Sequence, residues 1–184
     1  MKYLKTDYIY KSYLYSLEYN KGFNRLLGKL LIYHNRYNSE EMYTGSIGDN
    51  GGIFFELTDL IDKDETLKLR GYEFNIDYYN TFTSASKHYN IEHKIHNSYP
   101  EFNESDKNKF KYLVQDRILH FGLTFLELKK YNKKYKEFDF NLRRDNFWIF
   151  DLLFKANHDA RILLIVPENF LIGEIYKDIR KYLI

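Results

Sequence analysis

Apolar positions recur at helical spacing over the first forty residues, then give way to short runs alternating with helix-length segments. Residues 8 to 37 read as helical, with Leu26, Leu27, Leu30, Leu31 and Tyr33 gathered on one side after a break near Asn20 to Gly22. Met42 and Tyr43 end a short first strand, and the apolar run IFFELTDLI follows as a helix. LKLRGYEFN then offers Leu67, Leu69, Gly71 and Phe74 to a buried strand, and IDYYNTFTSASKHYN predicts a helix. EHKIHNSY predicts a strand with Ile95 inward, and KFKYLVQ another through Phe110, Tyr112, Leu113 and Val114. FWIFDLLFKANHD reads as an amphipathic helix carrying the only Trp, and ARILLIV as an uncharged strand after Arg161. The chain closes on GEIYKDIRKYLI, where Ile175, Ile179 and Leu183 repeat every four residues and predict a helix packing back.

Strands separated by helices of about ten to fifteen residues call for βαβ units, hence an α/β fold with a parallel sheet flanked by helices on both faces. Ligands of such sheets sit beyond the carboxyl ends of the strands, near the reversal of strand order. The glycine-rich stretch MYTGSIGDNGG, directly after the first strand, falls in that position. No repeat or linker divides the 184 residues, so one domain is expected, a helical segment over 1–40 followed by a Rossmann-like core over 41–184.

Composition changes this picture little. No apolar run approaches the roughly 20 residues that span a bilayer, and the Lys- and Tyr-rich start lacks the features of a signal peptide. Without cysteine there is no disulfide, thiol catalysis or cysteine-ligated zinc, and a cytoplasmic location is the expectation. Nor is a metal site expected: His93 and His96 lie three apart on a strand, facing opposite sides, and the other histidines have no ligand spacing. The 19 Tyr and 15 Phe read mainly as core material, since Tyr supplies apolar bulk while its hydroxyl finds water or a partner. A net charge of +2 gives no global pull on nucleic acid. Charge is concentrated locally in KKYNKKYKEFDFNLRR, where Lys129, Lys130, Lys133, Lys134, Arg143 and Arg144 form either a solvated surface or a strip meeting DNA phosphates.

Five segments in order carry a family resemblance: TGSIGDNGG, LRGYEFNID, KIHNSYPEF, FKYLVQDRIL and ARILLIVPENFLIGEIYKDIRKYL. Over residues 22 to 184 they resemble the adenine-N6 DNA methyltransferases, including the modification subunits of type I restriction systems. The resemblance implies a Rossmann-like S-adenosylmethionine-dependent methyltransferase fold, here lacking the antiparallel hairpin that ends the family's sheet. It implies that Thr44, Gly48, Asn50 and Gly51 form the turn against the methionine end of S-adenosylmethionine, although Thr44 and Gly45 replace the family's Asp and Pro. Glu73 then stands where an acidic residue accepts from both ribose hydroxyls, Phe74 where an apolar side chain packs on adenine, and Asn97 beside the adenine amino group.

The fourth segment departs from the family. Asp116-Arg117-Ile118-Leu119 replaces an Asn or Asp followed by two prolines and an aromatic, the group that holds and stacks the flipped target base. Asp116 alone retains the polar character of a catalytic residue. The resulting expectation is a catalytically degenerate methyltransferase-like protein of a DNA modification, restriction or defence system, acting by binding. An active adenine-N6 methyltransferase using Asp116 is one alternative, and an immunity or anti-defence protein that blocks a protein partner is another. Because an uncovered ILLIV edge strand is a pairing hazard, a partner protein, a second copy or the N-terminal segment is expected to cover it.

Overall fold

Strand residues in this chain alternate between two buried faces, and that alternation builds a sheet with helices on either side. The computed structural model describes residues 21–32, 37, 40–48, 51–115, 147–166, 169–174 and 177–181. Their elements run α1 (Lys21–Ile32), β1 (Met42–Thr44), α2 (Gly52–Leu57), β2 (Leu67–Tyr72), α3 (Ile76–Ser86), β3 (Ile91–His96), a 3-10 turn (Glu104–Asp106), β4 (Phe110–Gln115), α4 (Phe147–Lys155), β5 (Ala156–Leu164), α5 (Asn169–Ile172) and α6 (Lys177–Arg180). All five strands are parallel, in the order β3-β2-β1-β4-β5. Order therefore reverses between β1 and β4, and their carboxyl ends flank the crevice where ligands of such sheets bind.

On one face Met42, Leu67, Leu69, Ile95, Tyr112 and Val114 pack beneath Leu27 and Leu31 of α1, the phenylalanines of α2, and Phe82 of α3. On the other, Tyr43, Tyr72 and Leu113 meet Leu152 of α4. The remaining α4 residues Phe147, Trp148, Ile149, Phe150 and Phe154 join Phe102 and Phe170. Helix α4 is thus buried almost all round, with only Leu153 half-buried, where an amphipathic helix had been expected. A helix buried on nearly every side is a core helix, and this one fills the second layer.

Two further expectations need correction. Leu26 and Leu30 are 51% and 57% exposed, while Asn24, Leu27, Gly28 and Leu31 face inward. Each outward leucine lies one step, about 100° of rotation, from the inward row, so a run of adjacent leucines cannot all share one side. The last strand also starts earlier than ARILLIV: α4 stops at Lys155 and β5 begins at Ala156. The carbonyls of Phe154 and Lys155 accept from the amides of Asn108 and Lys109 at 3.0 and 2.9 Å, which commits them to the sheet. Register then shifts between Phe110 and Tyr112, where β5 carries extra residues. Phe74, offered to β2 by its pattern, lies just beyond that strand's end. Among the described residues no helix is long and apolar enough to cross a membrane.

Candidate cofactor site

The glycine-rich turn leaves β1 at Thr44, and its first half is fully buried. The Thr44 hydroxyl donates to the Ser46 carbonyl at 2.6 Å, so the turn is tied back on its own strand. Gly48 and Gly51 have φ of 51° and 82°, a left-handed backbone that glycine adopts without penalty, and Gly51 N–H closes on the Gly48 carbonyl at 3.0 Å. A Cβ on Gly51 would stand 2.4 Å from Phe82, so α3 presses directly on the turn.

Glu73, just past the end of β2, sits under this turn with no exposed surface. Its Oε2 accepts from the Ser46 hydroxyl at 2.9 Å and the Gly48 amide at 3.2 Å, and its Oε1 from the Asn75 amide at 2.8 Å. Asn75 in turn caps α3, its side chain accepting from the amides of Asp77 and Tyr78. The exposed Asn97 donates its amide to the Glu73 carbonyl at 2.7 Å and ties the ends of β2 and β3 together. Phe74 stacks on Tyr99 with centroids 5.1 Å apart and planes 12° from parallel, and Trp148 stands 5.8 Å away.

The structure thus brings Thr44, Gly48, Gly51, Glu73, Phe74 and Asn97 to one end of the sheet. Asn50, Asp116 and the basic residues Lys129, Lys130, Lys133, Lys134, Arg143 and Arg144 lie outside the described residues. Three of the six, Glu73, Phe74 and Asn97, have protein partners in this conformation. A ribose diol needs free carboxylate lone pairs, and those of Glu73 face protein donors inside the fold. Tyr99 covers one face of Phe74. Asn97 gives one N–H to the backbone and is otherwise exposed.

Burial pushes the Glu73 carboxyl up from its ordinary value of 4.5, and the bonds from Asn75, Ser46, Gly48 and Ile47 pull it back down. The folded protein therefore holds a proton here more readily than the unfolded chain does. The stability this contributes is fully present below 4.5 and is lost as pH rises through the raised folded value. Glu73→Gln has no such titration. Its urea midpoint is expected to gain on the wild type's as pH rises from 4.5 towards neutrality. A difference between the two midpoints that stays constant with pH would sink this account.

One cluster at the site was not anticipated. Tyr43 of β1, Asp151 and Lys155 of α4 are all buried, the two charged side chains completely. The Tyr43 hydroxyl donates to Asp151 Oδ2 at 2.6 Å, and Lys155 Nζ donates to Asp151 Oδ1 at 2.7 Å and to the Tyr43 oxygen at 2.6 Å. The cluster braces the glycine turn from below: a Cβ on Gly45 would lie 3.0 Å from Asp151 Oδ2 and 2.5 Å from Gln115 Oε1. The four-residue spacing of Asp151 and Lys155 was the available signal.

No family model and no curated protein matches this chain by sequence. Solved structures match it by shape. It aligns over 90% of its length with 38% of the methyltransferase subunit of a type I restriction-modification system from Streptococcus thermophilus, at 13% identity and a TM-score of 0.69. A putative class I S-adenosylmethionine-dependent methyltransferase from Listeria monocytogenes aligns over 89% of this chain and 49% of its own, at 9% identity and a TM-score of 0.61. The chain spans less than half the length of either. The fold is the Rossmann-like fold of S-adenosylmethionine-dependent methyltransferases.

Proposed function

We propose that this protein works as a methyltransferase-like component of a DNA modification, restriction or defence assembly, and that it acts by binding, without transferring methyl groups. The observation that carries this reading is the Glu73 carboxylate, buried and bonded to Ser46, Gly48 and Asn75 where a ribose would need it. The replacement of the target-base motif by Asp116-Arg117-Ile118-Leu119 supports it independently, because Leu119 cannot stack on a flipped base as an aromatic does.

Binding would use the far side of the sheet from β3. Among the described residues β5 pairs with β4 alone and is half-buried from Ala160 onward, so its outer edge is where a partner protein or a second copy adds. The basic residues between Lys129 and Arg144 are the candidate contact for DNA phosphates.

The test is a transfer assay with labelled S-adenosylmethionine and adenine-containing DNA, run beside Asp116→Ala. The expected result is no label in DNA above that control. Transfer by the wild type that Asp116→Ala abolishes would replace this reading with an active methyltransferase.

A further inference from the structure

We propose that the Ser46 hydroxyl stands in for a ligand hydroxyl on Glu73, so that the turn from Gly45 to Gly48 is a latch that a ribose-bearing nucleoside must displace. The inference rests on the reading that the nucleoside seat is filled by the protein itself, and it names the side chain that fills it.

The chemistry of the two donors is the same. Ser46 gives Glu73 Oε2 an O–H···O bond of 2.9 Å, the bond a sugar hydroxyl would give. The hydroxyl also accepts from the Gly48 amide at 3.3 Å, so one oxygen joins the turn to the carboxylate. The main chain at Ser46 is separately fixed by the Thr44 hydroxyl on its carbonyl. What holds the seat shut at this point is therefore the side chain, whose oxygen a residue without a hydroxyl would remove while leaving that tie in place. The remaining donors, the amides of Ile47, Gly48 and Asn75, still face the carboxylate. Without Ser46 the carboxylate is short of one donor, and a buried charge with an unmade hydrogen bond favours any ligand that completes it.

A hydrogen bond to a charged group contributes enough to change affinity by about tenfold to a hundredfold. Ser46→Gly is expected to bind S-adenosylhomocysteine and adenosine at least about tenfold more tightly than the wild type. The gain should vanish for 2′,3′-dideoxyadenosine, which lacks the competing hydroxyls, and in the double variant Ser46→Gly/Glu73→Ala. Calorimetric titration reads all of these, and Ser46→Ala, which keeps the restricted backbone, guards against a loosened turn in the glycine variant. Equal affinity of the wild type and both Ser46 variants overturns the latch. If that equal affinity is strong, the filled-seat reading fails with it. If none binds at millimolar ligand, the latch alone fails and the binding-only reading stands. A gain that survives with 2′,3′-dideoxyadenosine also overturns the latch, because space and not the hydroxyl would then be the cause.

Discussion

Lys155→Met is expected to lower the free energy of unfolding by about 3–5 kcal/mol, read as a fall in the urea midpoint at neutral pH. Lys155 and Asp151 are both fully buried and 2.7 Å apart, and Tyr43 closes the triangle with two bonds of 2.6 Å. The ammonium also stands 4.3 Å from the Tyr43 ring centroid, 5.0 Å from that of Tyr72 and 5.6 Å from that of Phe102. Removing it strands a carboxylate where water cannot reach. Burial already pushes the Asp151 carboxyl up, and Lys155 is the largest influence pulling it down. In the variant that pull is gone, so the carboxyl takes a proton more readily and the deficit should shrink as pH falls. The triple replacement Tyr43→Phe, Asp151→Leu and Lys155→Met removes every polar member at similar volume, and it should recover most of the loss. If Lys155→Met alone unfolds within about 1 kcal/mol of the wild type, the cluster is not closed to water and its role as a brace under Gly45 goes with it.

This cluster also shows where the sequence stopped being legible. Asp151 and Lys155 carried the spacing of an ordinary helix-surface pair, and nothing local announced that α4 is buried on nearly every side. That follows from packing between Phe102, Phe170 and the second face of the sheet, which no window of residues contains. Strands β2, β3 and β4 and helix α3 were readable because each satisfies its own period: Leu67 and Leu69 alternate, Ile95 points inward, and Asn75 caps α3. The start of β5 was not, because no glycine or proline separates Lys155 from Ala156 and the junction is set by distant amides at Asn108 and Lys109.

The site divides along the same line. Glu73 could be picked out through the family resemblance carried by LRGYEFNID. Its present partners could not, since the Ser46 hydroxyl reaches it across 27 positions of chain. Phe74 was legible as an aromatic at the end of β2, whereas the ring stacked on it, Tyr99, comes from beyond β3. Sequence singled out Glu73 and Phe74, and only three dimensions revealed the side chains they bond and stack against.

Gly71→Ala is the change expected to cost most, at about 4 kcal/mol or more. Gly71 lies opposite Thr44 in the β1–β2 pairing and has φ of 154°. An added Cβ would stand 1.9 Å from the Thr44 carbonyl oxygen and 2.9 Å from both its carbonyl carbon and Cγ2. Two of those three atoms are backbone of the central strand, so no rotamer change relieves the clash, and β1 and β2 must separate. Gly28→Ala is the matched control. Its Cβ would meet only the flexible ends of Leu57 and Leu60 at 3.2–3.3 Å, and alanine favours the helix by about 1 kcal/mol, so a change near zero is expected. The comparison reaches the site as well, because Thr44 is the residue whose hydroxyl holds the Ser46 carbonyl. Displacing Thr44 loosens the turn over Glu73, so any folded remnant of Gly71→Ala should lose the pH-dependent stability difference from Glu73→Gln at the same time. Retention of the wild-type urea midpoint by Gly71→Ala would mean that the two strands do not approach so closely, and that the turn is not anchored through Thr44.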